Sequence, residues 1–150
     1  MKNTLSYKTQ TTLEELEGAM QSQKFYFDFM IDRKPLSKIL GAKEDGMIGV
    51  LSTHKHGNYE IEKISELLLE KCSELENGRV MLYGCAECLD IMCGAITVKV
   101  EEINTSVIWS DFAYENEYEE PNFEPYKNIG SFEFDKETYK KLFTEMKYLY

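Results

Sequence analysis

Apolar positions recur along this chain at two spacings, and each spacing names an element. Between 95 and 102, Ile96, Val98 and Val100 alternate with Thr97, Lys99 and Glu101, the two-residue period of a half-buried strand. Asn104-Thr105 marks a tight turn. A second strand returns over 106–114, with Val107, Trp109 and Asp111 on one side and Ile108, Ser110 and Phe112 on the other. A strand over 79–84 precedes this pair, so the region predicts an antiparallel meander. The aromatic run KFYFDFMID at 24–32 predicts another strand, broken by Arg33-Lys34-Pro35-Leu36. One helical turn is expected over 37–40 before Gly41, and short strands over 47–51 and 131–134.

The helical period is clearest over 59–75. Ile61, Ile64, Leu68, Cys72 and Leu75 form an apolar stripe, Glu62, Lys63, Glu66 and Glu70 form the polar face, and Asn77-Gly78 suits the exit. That spacing places Cys72 in the core. A last helix is expected after the N-cap Asp135, with Tyr139, Leu142, Phe143 and Met146 inward. Thr11-Thr12 before Leu13-Glu14-Glu15-Leu16-Glu17 predicts a short capped helix near the N-terminus. Together these elements predict an α+β fold, a mostly antiparallel meander with helices packed on one face, as a single globular domain over 1–150.

The apolar content of 43% is enough to build one core without help from metal or disulfides. Charge changes the picture more. A formal net charge of −10 and a pI near 4.7 disfavour phosphate backbones and anionic lipid and favour a basic protein partner. Solubility alone is the competing explanation for the acidity. Residues 1–10 are polar, without the apolar core of a signal peptide, and no apolar run approaches the ~20 residues of a membrane span. The expectation is a cytoplasmic protein with reduced cysteines. The oligomeric state is open.

Three of the four cysteines, Cys85, Cys88 and Cys93, fall within nine residues. Cys85 and Cys88 have the two-residue gap of a zinc knuckle, with Cys93 and His54 or His56 as further ligands. A small zinc-binding or thiol-redox protein using this cluster is the alternative reading of function. Against redox work, Glu87 and Asp90 raise rather than lower a nearby thiol pKa. Packing of small apolar thiols into a strand-to-strand corner is preferred, so no metal or other cofactor is expected. His54 and His56 lie in a polar stretch with no nucleophile elbow, P-loop or paired-His motif, and no enzyme activity is assigned.

The most unusual composition spans 109–126. Asp111, Glu115, Glu117, Glu119, Glu120 and Glu124 interleave with Tyr114, Tyr118, Phe123 and Tyr126, and no lysine or arginine occurs before Lys127. Aromatics anchor interfaces while surrounding charge steers and selects the partner. Asp111, Glu115, Glu117, Glu119 and Glu120 are therefore expected to provide charge complementarity, with Tyr114 and Tyr118 as anchors. A loop that tucks its aromatics back onto the sheet is the plainer possibility. The acid spacing does not match a calcium-binding EF-hand loop.

Cys93-Gly94-Ala95-Ile96-Thr97-Val98, Trp109-Ser110-Asp111-Phe112-Ala113-Tyr114-Glu115 and Gly130-Ser131-Phe132-Glu133-Phe134-Asp135 together carry a resemblance. The C-terminal half resembles a small bacterial family with a CxxCxxxxCGAxTV turn, a WSDFxYE motif and a Gly-x-Phe-x-Phe-Asp run. Relatives often carry CPECGD where this chain has CAECLD, a departure that weakens a zinc knuckle. The family assigns no activity to any residue. Size, acidity and single-domain character are similar to the immunity proteins of contact-dependent growth inhibition systems. That likeness implies a cytosolic inhibitor of a cognate basic toxin domain, with a nuclease as the expected class.

Overall fold

The computed structural model describes residues 2–11, 25–42, 46–51, 57–85 and 90–150. Strand β1 (Leu5–Thr11) pairs antiparallel with β2 (Phe25–Ile31), and the two-residue β3 (Lys34–Pro35) adds to the far edge of β2. The turn into β3 holds Asp32 and Arg33 at φ 52° and 70°. The Asp32 carboxylate accepts from Thr4 N at 2.8 Å and Asn3 Nδ2 at 2.7 Å, which ties this turn to the start of β1. The strand expected over 24–32 is present. Strand β1 was not expected from its pattern. The short helix α1 (Leu36–Leu40) follows β3 and packs against β2.

Strands β4 (Met47–Gly49), β5 (Val80–Cys85), β6 (Ala95–Ile103), β7 (Ser106–Glu115) and β8 (Phe132–Asp135) form a five-stranded antiparallel sheet in chain order. Strands β5, β6 and β7 are the predicted meander, and the short strands expected over 47–51 and 131–134 extend it at its two edges. Helix α2 (Gly57–Leu67) and helix α3 (Lys136–Lys147) pack on each other and against this sheet, giving an α+β domain. The two sheets curl toward one another and are tied at both ends. At one, Phe27 N donates to Leu51 O at 3.0 Å, and Gly49 is required because a Cβ there would stand 2.7 Å from the Phe27 carbonyl oxygen. At the other, Asn3 N donates to Glu133 O at 2.6 Å beside an Asn3–Phe134 bridge.

Trp109 sits inside this curl, fully buried, edge-on to Phe29 and Phe134 at centroid distances of 5.4 and 5.2 Å. Its indole N–H donates to Tyr139 Oη at 3.0 Å, and that hydroxyl donates to Leu67 O at 2.7 Å. One chain of bonds thus joins β7, α3 and α2. Asp135 caps α3 as expected, accepting from Thr138 N at 3.1 Å, and Tyr139, Phe143 and Met146 face the core with Leu142 half-buried.

Helix α2 departs from its pattern in two ways. It stops at Leu67, not near 75, because Leu69 takes the left-handed conformation at φ 61° and Glu70 N closes the turn on Ser65 O at 2.9 Å. Cys72 therefore lies past the helix and is exposed, not in the core. The second departure is on the polar face, where Lys63 and Glu66 are buried. The chain folds back so that Glu74 pairs with the Lys63 ammonium, which also bonds Glu66 Oε2 at 3.3 Å and lies over the Tyr59 ring. Burial raises the Glu66 pKa, with the Lys63 charge opposing it. Apart from Thr11, the helix expected over 11–17 lies outside the described residues. No helix among the described residues is long and apolar enough to cross a membrane.

Candidate functional site

The acidic segment begins at a fault in the β6–β7 ladder. Lys99 pairs with Ser110 and Thr97 with Ala113, so β7 carries one residue more than β6 across this stretch. Asp111 takes up the difference at φ 54°, a conformation that Asp tolerates better than most residues. The expected alternation ends here. Asp111 turns out to solvent, instead of sharing the buried side with Trp109, while Phe112 and Ala113 are both buried.

Arg79, just before β5, stabilises the bulge. Its Nη2 donates to the Asp111 carbonyl oxygen and to Thr97 O, and its Nε donates to Thr97 Oγ1 at 3.0 Å and Glu115 Oε2 at 3.2 Å. The Glu115 carboxylate also accepts from Thr97 Oγ1 at 2.5 Å and from Asn77 Nδ2 at 2.7 Å. Burial pushes the Arg79 pKa below its ordinary value, and the Glu115 charge acts to restore it. Glu115 is buried and fully engaged, so its carboxylate holds the end of β7 in place and is not offered to a partner.

Beyond Glu115 the chain forms a small protrusion closed at its base. Tyr114 and Asn122 exchange two backbone hydrogen bonds, both 2.9 Å. At its centre the Asn116 side-chain oxygen accepts from Tyr118 N at 2.9 Å and Glu119 N at 3.0 Å, a local turn that replaces backbone pairing. Glu117, Glu119 and Glu120 are exposed, and Tyr118 is 73% exposed. Tyr114 is half-buried, its ring laid across Gly94 so closely that a Cβ there would stand 2.7 Å from Cζ. The segments 93–98 and 109–115 therefore meet in space, Gly94 under Tyr114 and Thr97 on Glu115.

Of the expected site residues, the structure brings Asp111, Glu117, Tyr118, Glu119 and Glu120 to the surface of one region and turns Glu115 inward. Sequence reasoning missed Arg79 and Asn77, in the segment leading into β5, and Thr97 on β6, which support the protrusion from below. Two open clefts flank the strap that follows it. One of about 700 Å³ lies between Ser110–Phe112 and residues 123–131, and one of about 580 Å³ includes Leu40, Cys93, Tyr114 and Asn122.

The cysteine corner divides. Cys85 ends β5 half-buried, and Cys93 is exposed where a 3₁₀ turn (Ile91–Cys93), capped by Asp90, meets Gly94. Cys88, His54 and His56 lie outside the described residues. Among the described residues no three His, Cys, Asp or Glu side chains are grouped to hold a metal. Comparison with family models, with curated proteins and with solved structures finds no match.

Proposed function

We propose that this protein is a cytoplasmic immunity protein that binds a cognate basic toxin domain and holds it inactive, with a nuclease as the fitting class of toxin. The observation that carries the reading is the protrusion between Tyr114 and Asn122. Three carboxylates surround a tyrosine that is 73% exposed, and the base is fixed by a two-way backbone bridge and a buried ion pair. An exposed aromatic among carboxylates matches the anchor-and-rim arrangement of protein interfaces. Exposed carboxylates on a turn closed at its base present the charge that a nuclease cleft is built to accept from phosphates. In this reading Asp111, Glu117, Glu119 and Glu120 meet the partner's cations and Tyr118 fills a pocket. Tyr114 and Glu115 position them from below.

The test is co-expression with the product of the gene immediately upstream, followed by affinity purification and a growth assay. A stoichiometric complex that restores growth supports the reading. A toxic product that the chain neither binds nor neutralises, or a partner without toxicity, rejects it.

A further inference from the structure

The larger cleft has walls of different chemistry, and a single residue fixes both. On one side Asp111 is exposed at the bulge, and its charge acts on the neighbouring Arg79 guanidinium. On the other, Phe123 is 45% exposed, with the Arg79 guanidinium carbon 5.1 Å from its ring centroid. Phe112 and Tyr126, both buried, lie between, and Ser110 and Ser131 supply hydroxyls. Lys127 also borders the cleft, but its ammonium is paired with Glu124 at 2.5 Å. Through its bond to the Asp111 carbonyl and its contact with Phe123, Arg79 ties the two walls together.

We infer that this cleft receives an arginine side chain of the protein partner, the guanidinium pairing with Asp111 and lying along the exposed part of Phe123. The choice of arginine follows from the walls. A planar cation stacks on an aromatic ring and pairs with a carboxylate at the same time, whereas an ammonium is held less well by a flat surface. The net charge of −10 favours a cationic occupant over any anionic or neutral one. The inference rests on the immunity reading only for the partner's identity. The cleft's preference is a property of this chain.

The experiment is an NMR titration of the whole chain with N-acetyl-arginine amide, alongside the lysine and citrulline analogues. The arginine probe should shift the amides of Ser110, Gly130 and Ser131 saturably in the millimolar range, with lysine weaker and neutral citrulline inert. Asp111→Asn keeps a residue that accepts the left-handed backbone, so it should fold and weaken the probe roughly threefold to fivefold. Phe123→Ala removes the ring and also the surface on which the Arg79 guanidinium rests, so it should weaken the probe at least as much. Equal response to all three probes, or shifts confined to 117–120, would overturn the assignment. If the upstream partner binds Asp111→Asn as tightly as wild type while the arginine probe fails, the cleft assignment falls and the immunity reading stands. If the probe binds as described and no complex forms, the immunity reading falls and the cleft stands.

Discussion

The ring of Tyr114 lies where a side chain on Gly94 would have to stand, so the end of the cysteine-rich turn and the base of the acidic protrusion are a single packed unit. Gly94 also has φ 93°, a conformation closed to residues with a Cβ. Gly94→Ala therefore meets both strain and overlap, and is expected to cost about 2–4 kcal/mol in urea denaturation. A substitution that costs less than ~1 kcal/mol would mean that the ring is free to move off this position.

Arg79 and Glu115 make a second prediction through their mutual dependence. Both side chains are almost fully buried, and removing either leaves the other charge without its partner. Arg79→Met and Glu115→Leu should each destabilise by about 3–5 kcal/mol, and the double variant by clearly less than their sum. Strict additivity in this cycle would show that the pair does not act as a unit.

The meander was legible because its pairing is local. Strands β6 and β7 are separated by Asn104-Thr105 alone, and Ile96, Val98, Val107 and Trp109 show their alternation in the sequence. Helix α3 was legible from one capping side chain. What escaped depends on partners far along the chain. Arg79 finds Glu115 thirty-six residues away, and nothing in either neighbourhood reveals the match. Lys63 and Glu66 look like an exposed face until Glu74 returns to cover it. The left-handed Leu69 that ends α2 has no Gly or Asn to announce it. At the candidate site the composition of 111–120 was readable, but the bulge that exposes Asp111 and the burial that withdraws Glu115 were not.

Asp135 gives a pH prediction whose sign is fixed by its cap. Its hydrogen bond from Thr138 N, with the Lys2 charge nearby, holds its carboxyl below the ordinary value of 3.8. A depressed native pKa contributes stability that is present above the ordinary carboxyl range and is lost as pH falls through the native value. Asp135→Ala should lower the urea midpoint at pH 7, and its gap from wild type should narrow below about pH 4. A gap that is constant from pH 7 to pH 3 would contradict the capping role.

Tyr118 is expected to act on dissociation. Its side chain is mostly in solvent, so Tyr118→Ala should leave thermal stability unchanged. In the complex the loss of a buried aromatic anchor should cost about 2 kcal/mol or more, seen chiefly as faster release of the partner. Unchanged release kinetics would remove Tyr118 from the interface.

The account's central claim is that the fixed acidic protrusion binds a basic protein, and charge reversal tests it most directly. Glu117→Lys/Glu120→Lys alters two exposed carboxylates and leaves the buried Arg79–Glu115 support intact. Affinity for the co-expressed partner should be measured by calorimetry across a range of salt concentrations, together with the melting temperature. The account predicts an unchanged melting temperature, an affinity at least tenfold weaker at low salt, and a shallower dependence on salt. Wild-type affinity with the same salt dependence, in a variant that still folds, would contradict it.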